Sequence, residues 1–137
     1  MSLRLNIIMD TKDAIQMNPL QLAYLGDAVW ELIVRYDLMI KKYNVHHMHK
    51  KCVKLVNAHS QAEILHRVEQ HLLPEEIEIA RRGRNAHTKH TVPHNQSPED
   101  YAAATGFEAL FGYWYLTGNN VRIEQTVNMI KEVFDDG

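Results

Sequence analysis

From residue 19 onward, apolar positions recur at intervals of three and four. Leu22, Leu25, Val29, Leu32, Ile33, Tyr36 and Ile40 follow Asn18-Pro19, a capping residue with proline at the first helical position, and predict one amphipathic helix over about residues 19–42. A second helix is predicted from His46 to Val56. A third runs from His59 or Ser60 to Leu72, with Ala62, Ile64, Leu65, Val68 and Leu72 as its apolar stripe. Leu73-Pro74-Glu75-Glu76 opens a fourth, carrying Ile77 and Ala80 and ending near Gly83. Residues 85–96 are mostly polar, include a proline, and read as an exposed loop. Ser97-Pro98-Glu99-Asp100 caps a helix reaching about Leu116, where Gly118-Asn119-Asn120 stops it. A last helix carries Val121, Ile123, Val127, Ile130, Val133 and Phe134. With no alternating pattern and no internal repeat, the expected fold is all-α, six or seven helices around one core.

At 137 residues, 45% apolar and 23% charged, with 6 glycines and 4 prolines, the composition is that of an ordinary folded globule. A single domain over 1–137 is expected, with residues 1–17 peripheral to it. No stretch approaches the roughly 20 apolar residues that span a bilayer, and the first residues lack a signal-peptide layout, so a cytoplasmic protein is expected, with no membrane partner. Cys52 is the single cysteine, which excludes an internal disulfide or a multi-cysteine zinc site and leaves it a packing residue.

The net charge of −2 hides two basic clusters. Residues 41–54 hold five lysines and three histidines, and residues 81–96 hold Arg81, Arg82, Arg84, Lys89 and three histidines, in both cases without an acid. Together they contain nine of the fifteen lysines and arginines, which points to an anionic partner as well as to plain solvated helix faces. His90 and His94 lie four apart and His46, His47 and His49 are crowded, but without cysteines they make a poor transition-metal site. No glycine-rich phosphate loop and no serine nucleophile elbow is present.

Two acids break the helical pattern. Asp27 sits among Leu25, Gly26, Ala28 and Val29, and Glu108 among Gly106, Phe107, Ala109, Leu110, Phe111 and Gly112. Both are expected to be partly buried, and a carboxylate in apolar surroundings needs a compensating cation, proton or set of donors. The small residues Gly26, Ala28, Gly106, Ala109 and Gly112 would let their two helices approach closely. Such a pair could share a hard divalent cation, since Mg²⁺ needs only one or two protein carboxylates. Equally, each acid could simply be paired with Arg or Lys.

These residues carry a family resemblance. Leu22-Ala23-Tyr24-Leu25-Gly26-Asp27-Ala28-Val29-Trp30-Glu31 resembles the signature helix of the ribonuclease III catalytic domain, and Thr105-Gly106-Phe107-Glu108-Ala109-Leu110-Phe111-Gly112-Tyr113 resembles its second acidic motif. With Arg81-Arg82-Gly83-Arg84-Asn85-Ala86 and the short length, the match is to the bacterial branch without a double-stranded-RNA-binding domain, the Mini-ribonuclease III proteins. It covers about Asn18 to Leu116.

The resemblance implies the ribonuclease III endonuclease fold and hydrolysis of double-stranded RNA by a homodimer, leaving 5′-phosphate and 3′-hydroxyl ends. It makes Asp27 and Glu108 the catalytic carboxylates and ligands of Mg²⁺, with Mn²⁺ as a substitute and Glu31 as a further candidate ligand. Larger family members carry two more acids, where this chain has Ala23 and Thr105, which leaves the number of ions open. The RNA contacts are then Arg81, Arg82, Arg84, Asn85, Lys89, Lys50, Lys51 and Lys54, since A-form duplexes are gripped through phosphates and 2′-hydroxyls. Phe107, Phe111 and Trp114 are read as core or dimer contacts. The implied substrate is a precursor of large-subunit (23S) ribosomal RNA, and the alternative is a non-catalytic RNA-binding protein of the ribosome.

Overall fold

The structure is a computed structural model and describes residues 8–86 and 95–135. Its elements are α1 (Thr11–Ile15), α2 (Pro19–Ile40), α3 (Val45–Val56), α4 (Ala58–Val68), a 3-10 turn (Glu69–His71), α5 (Pro74–Arg84), α6 (Pro98–Leu116), α7 (Asn120–Met129) and α8 (Lys131–Asp135). No strand occurs among the described residues. The fold is all-α, and none of these helices is long and apolar enough to cross a membrane.

Helix α6 is the axis. Its residues from Ala104 to Trp114 are apolar almost all round, and all but the partly exposed Glu108 are buried, as a helix enclosed by others requires. Helices α2, α4 and α5 pack around it. Phe107, Phe111 and Trp114 are core residues: the Trp30 ring meets Phe107 edge-on at 5.0 Å and Phe111 at 5.4 Å. Trp30 Nε1 donates to Leu55 O at 2.9 Å, tying α2 to the end of α3. Cys52 is buried in the same core.

Caps follow the sequence. Asn18 Oδ1 accepts from Leu20 N and Ser97 Oγ from Asp100 N, while Asn44 and Asn57 do the same for α3 and α4. Helix α2 stops at Ile40, two residues short of the predicted end, and Lys42 turns the chain with a φ of 63°. Three further expectations change. The last helix divides at Ile130, and the bend lets both Ile130 and Phe134 enter the core, the latter 5.6 Å from the Trp30 ring. On α5 it is Ile79 rather than Ile77 that is buried with Ala80. Residues 9–17 are not peripheral: Met9 N donates to Leu116 O at 2.6 Å, Ala14 is fully buried, and Arg82 donates to the carbonyls of Ile15 and Met17.

A buried polar knot holds the α5 end of the bundle. Glu76 Oε1 caps its own helix by accepting from Leu73 N at 2.8 Å. Its carboxylate also accepts from Trp114 Nε1 at 2.8 Å and from the Arg122 guanidinium at 2.8 and 2.6 Å. Burial opposes the charge on Glu76, but these donors outweigh it and hold the carboxyl below its ordinary range.

Candidate active site

Asp27 and Glu108 are brought together by glycines. At the crossing of α2 and α6, a Cβ on Gly26 would collide with the carbonyl oxygen of Glu108 and stand 2.8 Å from Gly112 N, and one on Gly112 would collide with Leu22 O. The two backbones are therefore in direct contact. Asp27 follows Gly26 and Glu108 supplies the carbonyl, so the side chains leave the crossing side by side. A parallel contact seats α5 on α6, where a Cβ on Gly83 would lie 2.8 Å from Gly106 Cα.

The two acids differ in setting. Asp27 is exposed, contrary to the expected partial burial, because the first position after the crossing already faces out of the bundle. Glu108 is partly buried between α2 and α4, and its carboxyl is pushed up to about 8, first by desolvation and then by the adjacent Asp27 carboxylate. Burial and the neighbouring Asp27 thus both favour the protonated form of Glu108. Neither carboxylate has an Arg or Lys in an ion pair among the described residues, so no described cation accounts for these acids.

Glu31 does not join them. It bonds Arg35 on its own helix at 2.9 Å. Among the described residues no group of three His, Cys, Asp or Glu side chains converges. A two-carboxylate set suits an oxygen-seeking cation that keeps several waters, the Mg²⁺ pattern, and does not suit zinc. His90, His94, Lys89 and most of the 85–96 loop lie outside the described residues.

Each of the three arginines already has a partner. Arg81 forms a two-pronged pair with Glu78 at 2.9 and 2.5 Å, Arg84 pairs with Glu69, and Arg82 is held by the carbonyls of Ile15 and Met17. Asn85 is exposed at the end of α5. On α3, Lys50 and Lys54 are exposed without an ion pair among the described residues, and Lys51 lies over the Tyr43 ring at 4.8 Å. The sequence reading missed Gln61, a buried residue of α4 beside Glu108. Its signal was there: Gln61, Ile64, Leu65 and Val68 form a helical stripe with one polar member.

Residues 20–119 match the family model described as the Ribonuclease III domain, and the chain belongs to that family. Within it, the chain is 37% identical over 127 residues to a Mini-ribonuclease 3 of Clostridium tetani, covering 91% of this chain and 83% of that protein. It is 42% identical over 120 residues to a Mini-ribonuclease 3 of Symbiobacterium thermophilum, covering 87% and 92%. A crystal structure of a protein from Fusobacterium nucleatum superposes with a TM-score of 0.77 at 32% identity, covering 85% of this chain and 93% of that one.

Proposed function

We propose that the protein is a divalent-metal-dependent endoribonuclease that cuts double-stranded RNA as a homodimer, with a precursor of 23S ribosomal RNA as its substrate. The ribonuclease III-type endoribonuclease class follows from the family. The observation that carries the rest is the meeting of Asp27 and Glu108 at a glycine crossing, with no Arg or Lys paired to them among the described residues.

Mg²⁺, or Mn²⁺ in its place, would be held by these two carboxylates, and when bound it supplies the positive charge that activates water and stabilises the leaving 3′ oxygen. The chain contributes the rest. Asp27 stands at the surface where a phosphodiester can reach it, while Glu108 sits deeper, in surroundings that strengthen its attraction for a cation. A cation held here would displace the proton that burial favours on Glu108. Water is the nucleophile in this reading: it attacks the phosphorus, the 3′ oxygen leaves, and the products carry 5′-phosphate and 3′-hydroxyl ends.

The outer side of α2 supports the homodimer. Leu20, Tyr24, Leu32 and Tyr36 follow four-residue spacing, with exposed Ala28 between them, and Tyr24 and Leu32 are 86% and 67% exposed. An apolar stripe of this length beside Asp27 suits a second copy of the chain. Lys50 and Lys54, with Lys51 nearby, are then the leading phosphate contacts; Arg81 and Arg84 reach RNA only by exchanging partners.

The test is purified protein with duplex RNA and Mg²⁺, beside Asp27→Asn and Glu108→Gln. Wild type cuts and both variants lose at least about a hundredfold in rate, the scale of a lost electrostatic stabiliser. Wild type that binds duplex without cutting it returns the protein to the RNA-binding alternative, and variants that cut normally remove these residues from the site.

A further inference from the structure

Gln61 is 2% exposed on the face of α4 that meets α6, and its stripe neighbours Ile64, Leu65 and Val68 are core residues. Its side-chain nitrogen is buried and has no hydrogen-bond partner among the described residues. An idle buried donor destabilises the fold, and a leucine would fill the same position without that cost. The group beside the amide is the Glu108 carboxyl, on the helix that packs against this face of α4, and no hydrogen bond is closed between them. Gln61 thus approaches Glu108 from inside the bundle, and Asp27 approaches it from the surface.

We propose that Gln61 is a positioning residue for the cation site: its amide donates to one Glu108 oxygen and so fixes the carboxylate in the orientation that leaves the other oxygen for a divalent ion shared with Asp27. The inference rests on the metal-site reading above. It accounts for a polar side chain in an otherwise apolar stripe and for a buried donor left without a partner among the described residues. A second donor to a ligating carboxylate typically changes metal affinity about 10- to 100-fold.

The experiment titrates Mn²⁺ into metal-free protein and follows free Mn²⁺ by electron paramagnetic resonance, for wild type, Gln61→Leu, Gln61→Met and Asp27→Asn, with thermal melts of each metal-free protein. Gln61→Leu and Gln61→Met bind Mn²⁺ about 10- to 100-fold more weakly, while their metal-free melting temperatures equal or exceed that of wild type. A purely structural glutamine gives the reverse, a lowered melt with unchanged Mn²⁺ affinity, and that result overturns the proposal. The two substitutions differ in shape, so a fold defect in one leaves the other to decide. Wild-type binding that Asp27→Asn abolishes but the Gln61 variants leave intact overturns the positioning role alone. No Mn²⁺ binding by wild type, or full binding by Asp27→Asn, overturns the metal-site reading and this inference with it.

Discussion

Gly26 on α2 lies against the backbone carbonyl of Glu108 on α6, with no room between them for a side chain. One glycine thereby sets how closely two helices cross and how near the acids beside the crossing stand. Gly26→Ala and Gly112→Ala are expected to force the helices apart, lowering stability by about 1–3 kcal/mol or more and abolishing cleavage. Gly83→Ala, whose nearest clash is 2.8 Å away at another helix pair, should lose stability but keep more of its activity per folded molecule. Denaturant unfolding and single-turnover cleavage of the three variants check this order.

The raised Glu108 carboxyl makes a signed prediction. Between its ordinary value and about 8, the folded protein binds a proton that the unfolded chain has released, so stability falls as pH rises through that window. The slope is at most about 1.4 kcal/mol per pH unit. Urea unfolding of metal-free protein at several pH values should show this decline, and Glu108→Gln should flatten it. Apparent Mn²⁺ affinity should run the other way, rising with pH toward 8, with proton release seen in calorimetry.

Arg122 is expected to matter for the fold and not for the chemistry. Removing it leaves Glu76 charged and buried with only Trp114 and Leu73 as donors, so Arg122→Ala should cost about 3–5 kcal/mol. Cleavage per folded molecule should stay near wild type. A variant that melts normally contradicts this account of the knot.

The basic residues should separate by a salt titration. Lys50→Ala and Lys54→Ala are expected to weaken duplex RNA binding evenly across sequences and each to reduce the salt slope by about 1. Arg82→Ala should act on stability instead, since its guanidinium holds the carbonyls of Ile15 and Met17. Fluorescence anisotropy over a salt series, with melts in parallel, reads both effects.

The homodimer face can be tested at its most exposed residue. Tyr24→Glu places a charge in the outer stripe of α2 and should convert a dimer into a monomer in light scattering, with the helical circular dichroism of the folded protein unchanged because Tyr24 makes no core contact. A wild-type protein that is already monomeric at micromolar concentration sinks this part of the proposal.

Most of the architecture could be read from spacing because three- and four-residue periodicity and cap residues are local signals. Asn18, Ser97 and the proline after each announced their helices, and the small residues around Asp27 and Glu108 announced a close crossing. What was illegible depends on partners far along the chain. Glu76 meets Arg122 46 positions away, and Ile79 replaces Ile77 inside because the pitch of α5 is decided by its contact with α6. The N-terminal segment looked peripheral because α1 has only five residues, too few to show a period. Gln61 was passed over when Ala62 was read as the stripe residue, a shift of one position that moves a buried amide to the surface. The arginines were read as free cations because their counter-ions, Glu78 and Glu69, and the carbonyls that hold Arg82 come from helical pitch and tertiary folding.

Helix α2 has no spare side. Its inner residues belong to the core, its glycine to α6, Asp27 to the carboxylate pair with Glu108 and its outer stripe to solvent or a sister molecule. A designer who wants a solitary, well-behaved version of this protein must repaint that outer stripe, and every brushstroke falls within three turns of Asp27, the carboxylate proposed to hold the metal.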